Sequence, residues 1–155
     1  MRAPFQILII PFRRTATGVE FAVFKRSDDD YWQFVAGGGE DDETPLQAAQ
    51  REMEEEVGIV DDVNLMPLDS MATVPKNCFA AAKSWPQNLY VVPEHCFAVN
   101  AEGHNFILSY EHTALQWIPY IEAWQKLKWD SNRNALWELN ERLKMESMKS
   151  MLCSR

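Results

Sequence analysis

The sequence predicts a mixed α/β or α+β architecture with helices packed on a sheet, and three observations carry that prediction. Strand-like apolar runs, a helical segment, further strand-like runs and two more helical segments follow one another along the chain. Its 155 residues are 46% hydrophobic and 25% charged, enough apolar material for one packed core. Between Thr44 and Val57 the apolar residues recur at spacings of three and four, which marks a helix with one buried face.

Each element can be justified in turn. Phe5 to Phe12 is a continuous apolar run that reads as a buried strand, and Val19 to Lys25 is a second, rich in β-branched and aromatic residues. Thr15, Thr17 and Gly18 supply the turn between them. Trp32 to Ala36 reads as a short strand that stops at a loop, Gly37-Gly38-Gly39, where a ligand can approach the main chain closely. Thr44 is an N-cap with Pro45 after it and Gln47 three residues on, and Gly58 ends the helix. Leu46, Ala49, Met53 and Val57 form its apolar stripe. Leu68 to Val74 and Cys96 to Asn100 read as strands, Phe106 to Ile118 as one or two more, and 75–94 as an irregular excursion because of Pro86, Asn88 and Pro93. Ile121 to Leu127 and Asn134 to Met145 read as helices, the second capped by Asp130 or Ser131, and residues 148–155 as a loosely tied tail. No repeat or linker divides the chain, so a single domain over 1–155 is expected.

Charge and cysteine content exclude several classes of function. A net charge of −8 argues against a nucleic-acid polymer or an anionic membrane as partner, both of which need clustered Lys and Arg. Cys78, Cys96 and Cys153 show no paired spacing that would suggest disulfides or zinc. No segment approaches the ~20 apolar residues of a membrane span, and the N-terminus lacks the order of a signal peptide. A cytoplasmic protein with a small-molecule substrate is the expectation; the oligomeric state is not legible.

The chemistry concentrates on the first helix. Glu52, Glu55 and Glu56 stand at i, i+3 and i+4, so three carboxylates share one face, with Glu54 on another. Their repulsion costs a few tenths of a kcal/mol per pair, and a hard divalent cation is the natural compensation for hard oxygen ligands. Mg²⁺ is the first candidate and Mn²⁺ the second. Arg51 can pair with Glu55 or reach back to Glu43.

The spacing is more specific than the charge. Gly37, five residues, Glu43, seven residues, Arg51-Glu52-Met53, one residue, Glu55-Glu56, one residue and Gly58-Ile59 match the Nudix box at every specified position. With its seven fixed residues taken at about 7% each, a chance match is on the order of 10⁻⁸ per starting point. The chain resembles the Nudix hydrolases, and the likeness extends from about Ile7 to Leu139. What the resemblance implies is an α/β/α sandwich around a mixed sheet and Mg²⁺-dependent hydrolysis of a nucleoside diphosphate linked to another group. It implies Glu52, Glu55, Glu56 and the Gly37 carbonyl as metal ligands, Arg51 and Glu43 as orienting residues, and Glu111 as a further acidic ligand.

Lys25-Arg26-Ser27, Trp32-Gln33-Phe34-Val35, Glu111-His112 with Trp117, and Trp129-Asp130-Ser131-Asn132-Arg133 resemble the bacterial dihydroneopterin triphosphate pyrophosphatases, also described as dATP pyrophosphohydrolases. The implied reaction is release of pyrophosphate from dihydroneopterin triphosphate or dATP. A dinucleoside polyphosphate hydrolase and a non-catalytic nucleotide-binding module are the alternatives, and an intact carboxylate trio favours an enzyme. Glu52 or Glu111 is the candidate base. Lys25 and Arg26 are candidates for phosphate contact or a solvated strand end, and Arg133 for phosphate or a pair with Asp130. Trp32 and Tyr31 can stack on a ring or pack in the core. His112 suits a structural role better than a hard-ion site, and Ser27-Asp28-Asp29-Asp30 fails the EF-hand pattern at Trp32.

Overall fold

The computed structural model describes residues 1–59 and 64–154. Seven strands form one mixed sheet: β1 (Arg2–Thr15), β2 (Gly18–Arg26), β3 (Trp32–Gln33), β4 (Val35–Glu40), β5 (Leu65–Pro75), β6 (Val91–Asn100) and β7 (His112–Ile118). Their order is β3-β2-β1-β6-β5, with β4 also pairing β1 and β7 also pairing β2. Only the β1–β6 pair is parallel among these ladders. Helix α1 (Pro45–Val57) packs on one face, while α2 (Tyr120–Lys126) and α3 (Asp130–Cys153) pack on the other.

β1 is apolar without alternation because both of its faces are covered. Ile7 and Ile9 pack with Ala48, Ala49, Met53 and Val57 of α1, whereas Leu8 and Ile10 pack with Leu136, Leu139 and Leu143 of α3. Pro11 is tolerated at the point where β1 leaves β4, paired through Ile9, and takes up β2 from Phe12 onward, so its missing N–H falls between two ladders.

Several elements differ from the sequence reading. The three glycines are not a loop but the centre of β4, with Gly37 opposite Ile7 and Gly38 opposite Gln6. Leu46 is exposed, and Ala48 takes its place on the buried face of α1, where a small side chain lets the helix approach the sheet. Residues 106–111 form no strand; Ile107 and Ser109 instead donate backbone N–H groups to the carbonyls of Val57 (2.9 Å) and Glu56 (3.0 Å) at the open end of α1. β6 starts at Val91 because 91–95 extend the antiparallel pairing with β5, and Pro93 lies just before the β1 ladder begins at Glu94. The excursion that remains carries short 3₁₀ turns at Lys76–Cys78 and Ala80–Ser84. It is anchored by Trp85, whose indole N–H donates to the Arg2 carbonyl at 2.8 Å. α3 has Trp129 at its cap position with no side-chain cap, and where the apolar stripe ends at Leu143 the helix continues, exposed, through Cys153. Arg155 lies outside the described residues.

Candidate active site

α1 holds its glutamates with both ends fixed. Thr44 and Gln47 form the expected reciprocal cap, Gln47 N–H to Thr44 Oγ1 at 3.2 Å and Thr44 N–H to Gln47 Oε1 at 2.9 Å. Gly58 takes the left-handed conformation (φ 72°) and closes the other end with its N–H on the Glu54 carbonyl. Between them Glu52 and Glu56 turn inward, 8% and 5% exposed, while Glu55 stays at the surface. The Glu52 carboxylate lies on the α face of Gly37, so close that a β-carbon there would overlap it.

Arg51 ties this group together. Its guanidinium donates to both oxygens of Glu43 (2.8 and 3.0 Å), to the Gly38 carbonyl (2.7 Å), to Glu52 Oε1 (3.0 Å) and to Glu55 Oε2 (3.1 Å). Glu43 in turn accepts the Glu40 N–H at 2.9 Å, so strand β4, the connection and the helix are cross-linked through one side chain. Burial pushes the Glu52 carboxyl up to about 7, with the Glu55 and Glu56 charges adding to it and Arg51 opposing.

The segment before β7 completes the cluster. Ser109 Oγ donates to Glu56 Oε2 at 2.9 Å, and His112 Nε2 lies 3.1 Å from the same oxygen. Burial, then the Arg26 charge, lowers the His112 pKa; the ring is therefore neutral near pH 7, with Nε2 the nitrogen that faces Glu56. Its Nδ1 is buried and has no partner among the described residues. The Glu111 carboxyl reaches Glu56, and after burial its charge is what raises the Glu56 pKa further. Glu52, Glu55, Glu56 and Glu111 thus act on one another in pairs along the C-terminal half of α1, through the Glu55 and Glu56 charges on Glu52 and the Glu111 charge on Glu56.

A Nudix domain family model matches residues 6–138 of the chain. The chain belongs to the Nudix family. It is 31% identical over 137 residues to dihydroneopterin triphosphate diphosphatase of Escherichia coli K12, a match spanning 87% of this chain and 91% of that one. Among solved structures it is similar to a Nudix hydrolase of Listeria monocytogenes, at 46% identity and a TM-score of 0.85 over 93% of this chain and 97% of the other. The dihydroneopterin triphosphate pyrophosphohydrolase of Escherichia coli superposes with a TM-score of 0.71 at 26% identity, over 90% and 97% of the two chains. The protein is a Nudix hydrolase, acting on phosphoric anhydride bonds.

Against that identity the other sequence candidates separate. Lys25 pairs with Asp30 at 2.7 Å, and both arms of the Arg26 guanidinium hold Asp28, so each cation is engaged by its own loop. Arg133 donates to Asp130 (2.9 Å), to the Trp124 carbonyl (3.0 Å) and to the Leu127 carbonyl, which fixes the corner between α2 and α3 rather than leaving it free for phosphate. Trp32 packs at the edge of the α3-side core with Lys126 over its ring at 4.8 Å, and Tyr31 meets Trp129 edge-on.

Two residues of this Nudix site escaped the sequence reading. Ser109 adjoins the recognised Glu111-His112 pair, and only the fold shows that its hydroxyl serves Glu56 while accepting the Glu111 N–H at 3.3 Å. Arg2 carried no signal at all. Its half-buried guanidinium lies across Gly38, donates to Gln6 Oε1 at 2.7 Å and covers the Phe79 ring at 5.5 Å, without a carboxylate partner among the described residues.

The donor set suits a hard cation. Nudix hydrolases generally use divalent metals such as Mg²⁺. Glu52 and Glu56 are carboxyl groups whose pKa values rise through burial and mutual repulsion, the strain that a divalent ion relieves. Among the described residues no three of these side chains already surround a common point, and Arg51 bridges Glu52 and Glu55 in the meantime.

Proposed function

We propose that this Nudix hydrolase releases pyrophosphate from a nucleoside-triphosphate-like substrate, dihydroneopterin triphosphate or dATP, leaving the monophosphate. The observation that carries the reading is the set of repelling carboxylates, Glu52, Glu55, Glu56 and Glu111, beside a strand whose Gly37 is bare enough for close approach. The 31% identical relative named for dihydroneopterin triphosphate supports the choice of substrate class. The protein works as a cytoplasmic enzyme on small molecules rather than on nucleic-acid polymers, in keeping with its charge of −8; among the described residues no helix is long and apolar enough to cross a membrane.

Glu52, Glu55, Glu56, Glu111 and the Gly37 carbonyl would hold Mg²⁺, or Mn²⁺ as the second choice. The metal supplies neutralisation of phosphate charge and polarisation of the attacking water. Glu52 is the candidate to take that water's proton, with Glu111 as the other. Water oxygen adds to one phosphorus of the α–β anhydride, the P–O bond breaks, and the bridging oxygen leaves with the other phosphate. Ser109 and His112 hold Glu56 in one orientation, and Arg51 with Glu43 holds β4 against α1. Arg2, held by neutral groups and without a carboxylate partner among the described residues, is the cation to meet a phosphate oxygen.

The test is pyrophosphate release from dihydroneopterin triphosphate, dATP, the other nucleoside triphosphates and a dinucleoside polyphosphate, with Mg²⁺ and with chelator. Metal-dependent release from the pterin or dATP is expected. No release from any of them overturns the reading in favour of a binding module.

A further inference from the structure

Cys96 and Ala98 of β6 and Leu8 and Ile10 of β1 build the apolar layer facing α3. Continued to the ends of the same strands, that alternation brings up Gln6 and Glu94 on the same face. Register sets Gly38, Gln6, Glu94 and Ala72 side by side on β4, β1, β6 and β5. Arg2 lies over Gly38 and donates to Gln6, so on the face opposite α1 a polar row leads from the glycine strand to Glu94, and at its start Arg2 feels the charge of Glu52, which lies over the neighbouring Gly37 from the other face. Two strand spacings separate Gly38 from Glu94, about 10 Å. That is the reach of a nucleoside-like molecule between its phosphates and its ring.

Glu94 is the anomaly of this row. It is 6% exposed, Oε1 has no hydrogen-bond partner, and no cation neutralises it among the described residues. Among the described residues Ser131, in the first turn of α3, is the side chain whose polar group favours its ionised form. A buried acceptor left unmade is costly and wants donors. Two adjacent N–H donors satisfy a carboxylate, whereas an edge that pairs a donor with an acceptor is matched by a side-chain amide.

We propose that Glu94 reads the ring of the substrate, accepting hydrogen bonds from an edge with two neighbouring donors, the amino group and ring N–H of a 2-amino-4-oxo pyrimidine ring such as pterin or guanine. The site therefore selects such triphosphates against adenine nucleotides. This rests on the hydrolase reading above for the phosphate end of the substrate, and it chooses between the two substrates named there.

Glu94→Gln tests it, because the amide replaces one acceptor by a donor at constant shape. Wild-type protein is expected to show a lower KM for dihydroneopterin triphosphate and GTP than for dATP, the two former also telling pterin from guanine. In Glu94→Gln the preference for the two-donor rings over dATP falls about five- to 150-fold, through KM. A structural Glu94 would shift all three substrates alike, and such a uniform shift, or none, overturns the assignment. Binding of 7,8-dihydroneopterin, which has no phosphates, is followed by fluorescence in chelator for both proteins, after a thermal melt shows that each is folded. Loss of that binding in Glu94→Gln upholds the ring site even if no substrate is hydrolysed, which would sink the hydrolase reading alone; equal binding by both proteins sinks the ring site whatever the turnover.

Discussion

Glu52 and Gly37 occupy one space: the carboxylate of the helix fills the position where any other residue on the strand would carry its β-carbon. The only glycine-specific demand here is that close approach, since Gly37 is not among the residues of positive φ. Gly37→Ala must therefore displace Glu52. The expected result is a loss of turnover of at least about a hundredfold, with destabilisation of about 1–3 kcal/mol from overpacking. Pyrophosphate release and a denaturant melt on the same preparation check it, and an active Gly37→Ala would remove Glu52 from the site.

The Glu52 pKa gives stability a definite pH dependence. Its folded value of about 7 lies above the ordinary 4.5 of the unfolded chain, so between those values the folded protein keeps a proton that the unfolded chain has released. The contribution to stability is full below about pH 4.5 and is lost as pH rises through 7, amounting to about 3 kcal/mol at most. Urea melts in chelator should show this decline, and Glu52→Gln should flatten it. Mg²⁺ should restore more stability at pH 8 than at pH 5, because the ion binds the ionised carboxylates.

Glu55→Gln and Glu56→Gln are each expected to abolish turnover at saturating Mg²⁺ while the circular dichroism spectrum stays native. Glu56→Gln should not lower the melting temperature, since burial and the Glu111 charge already disfavour its ionised form. Glu111→Gln tests the weaker assignment. A change in the Mg²⁺ dependence of turnover is expected, and an unchanged dependence would take Glu111 out of the metal's reach.

How much of this was legible in the sequence depends on the distance over which the signal acts. The cap of α1 and the pairing of Arg51 with Glu43 follow from spacings within twenty residues, and the helix period reports the shared face of Glu52, Glu55 and Glu56 but not that Glu52 and Glu56 turn inward while Glu55 stays exposed. The glycine run reads as a loop from sequence because glycine signals freedom. Here it answers instead to the side chains of Glu52, Arg2 and Phe5, which lie over Gly37, Gly38 and Gly39 and come from elsewhere in the chain. Residues 106–111 read as strand from their apolar content, yet their backbone serves the end of α1, a tertiary demand that no local pattern carries. Arg133 shows the converse: a cation at a helix start suggests an anion site, but the carbonyls of Trp124 and Leu127 reach it first.

Arg2 supplies the last prediction, and it is one that the glutamate helix alone does not suggest. Its guanidinium is held by the Gln6 oxygen, by the Phe5 carbonyl at 3.4 Å and by the face of Phe79, and Trp85 fixes its backbone. None of these partners carries a negative charge, and burial lowers its pKa. A phosphate oxygen would provide the missing charge, at a gain of about 1.5–3 kcal/mol for a charge-assisted hydrogen bond. Arg2→Ala is thus expected to raise KM for the triphosphate about ten- to 150-fold, with Arg2→Lys recovering part of the loss because it restores charge without the planar fork. Steady-state kinetics with a melt of each variant separate this from a packing defect. An unchanged KM in folded Arg2→Ala would show that Phe79 and Gln6, not the substrate, are what Arg2 is for.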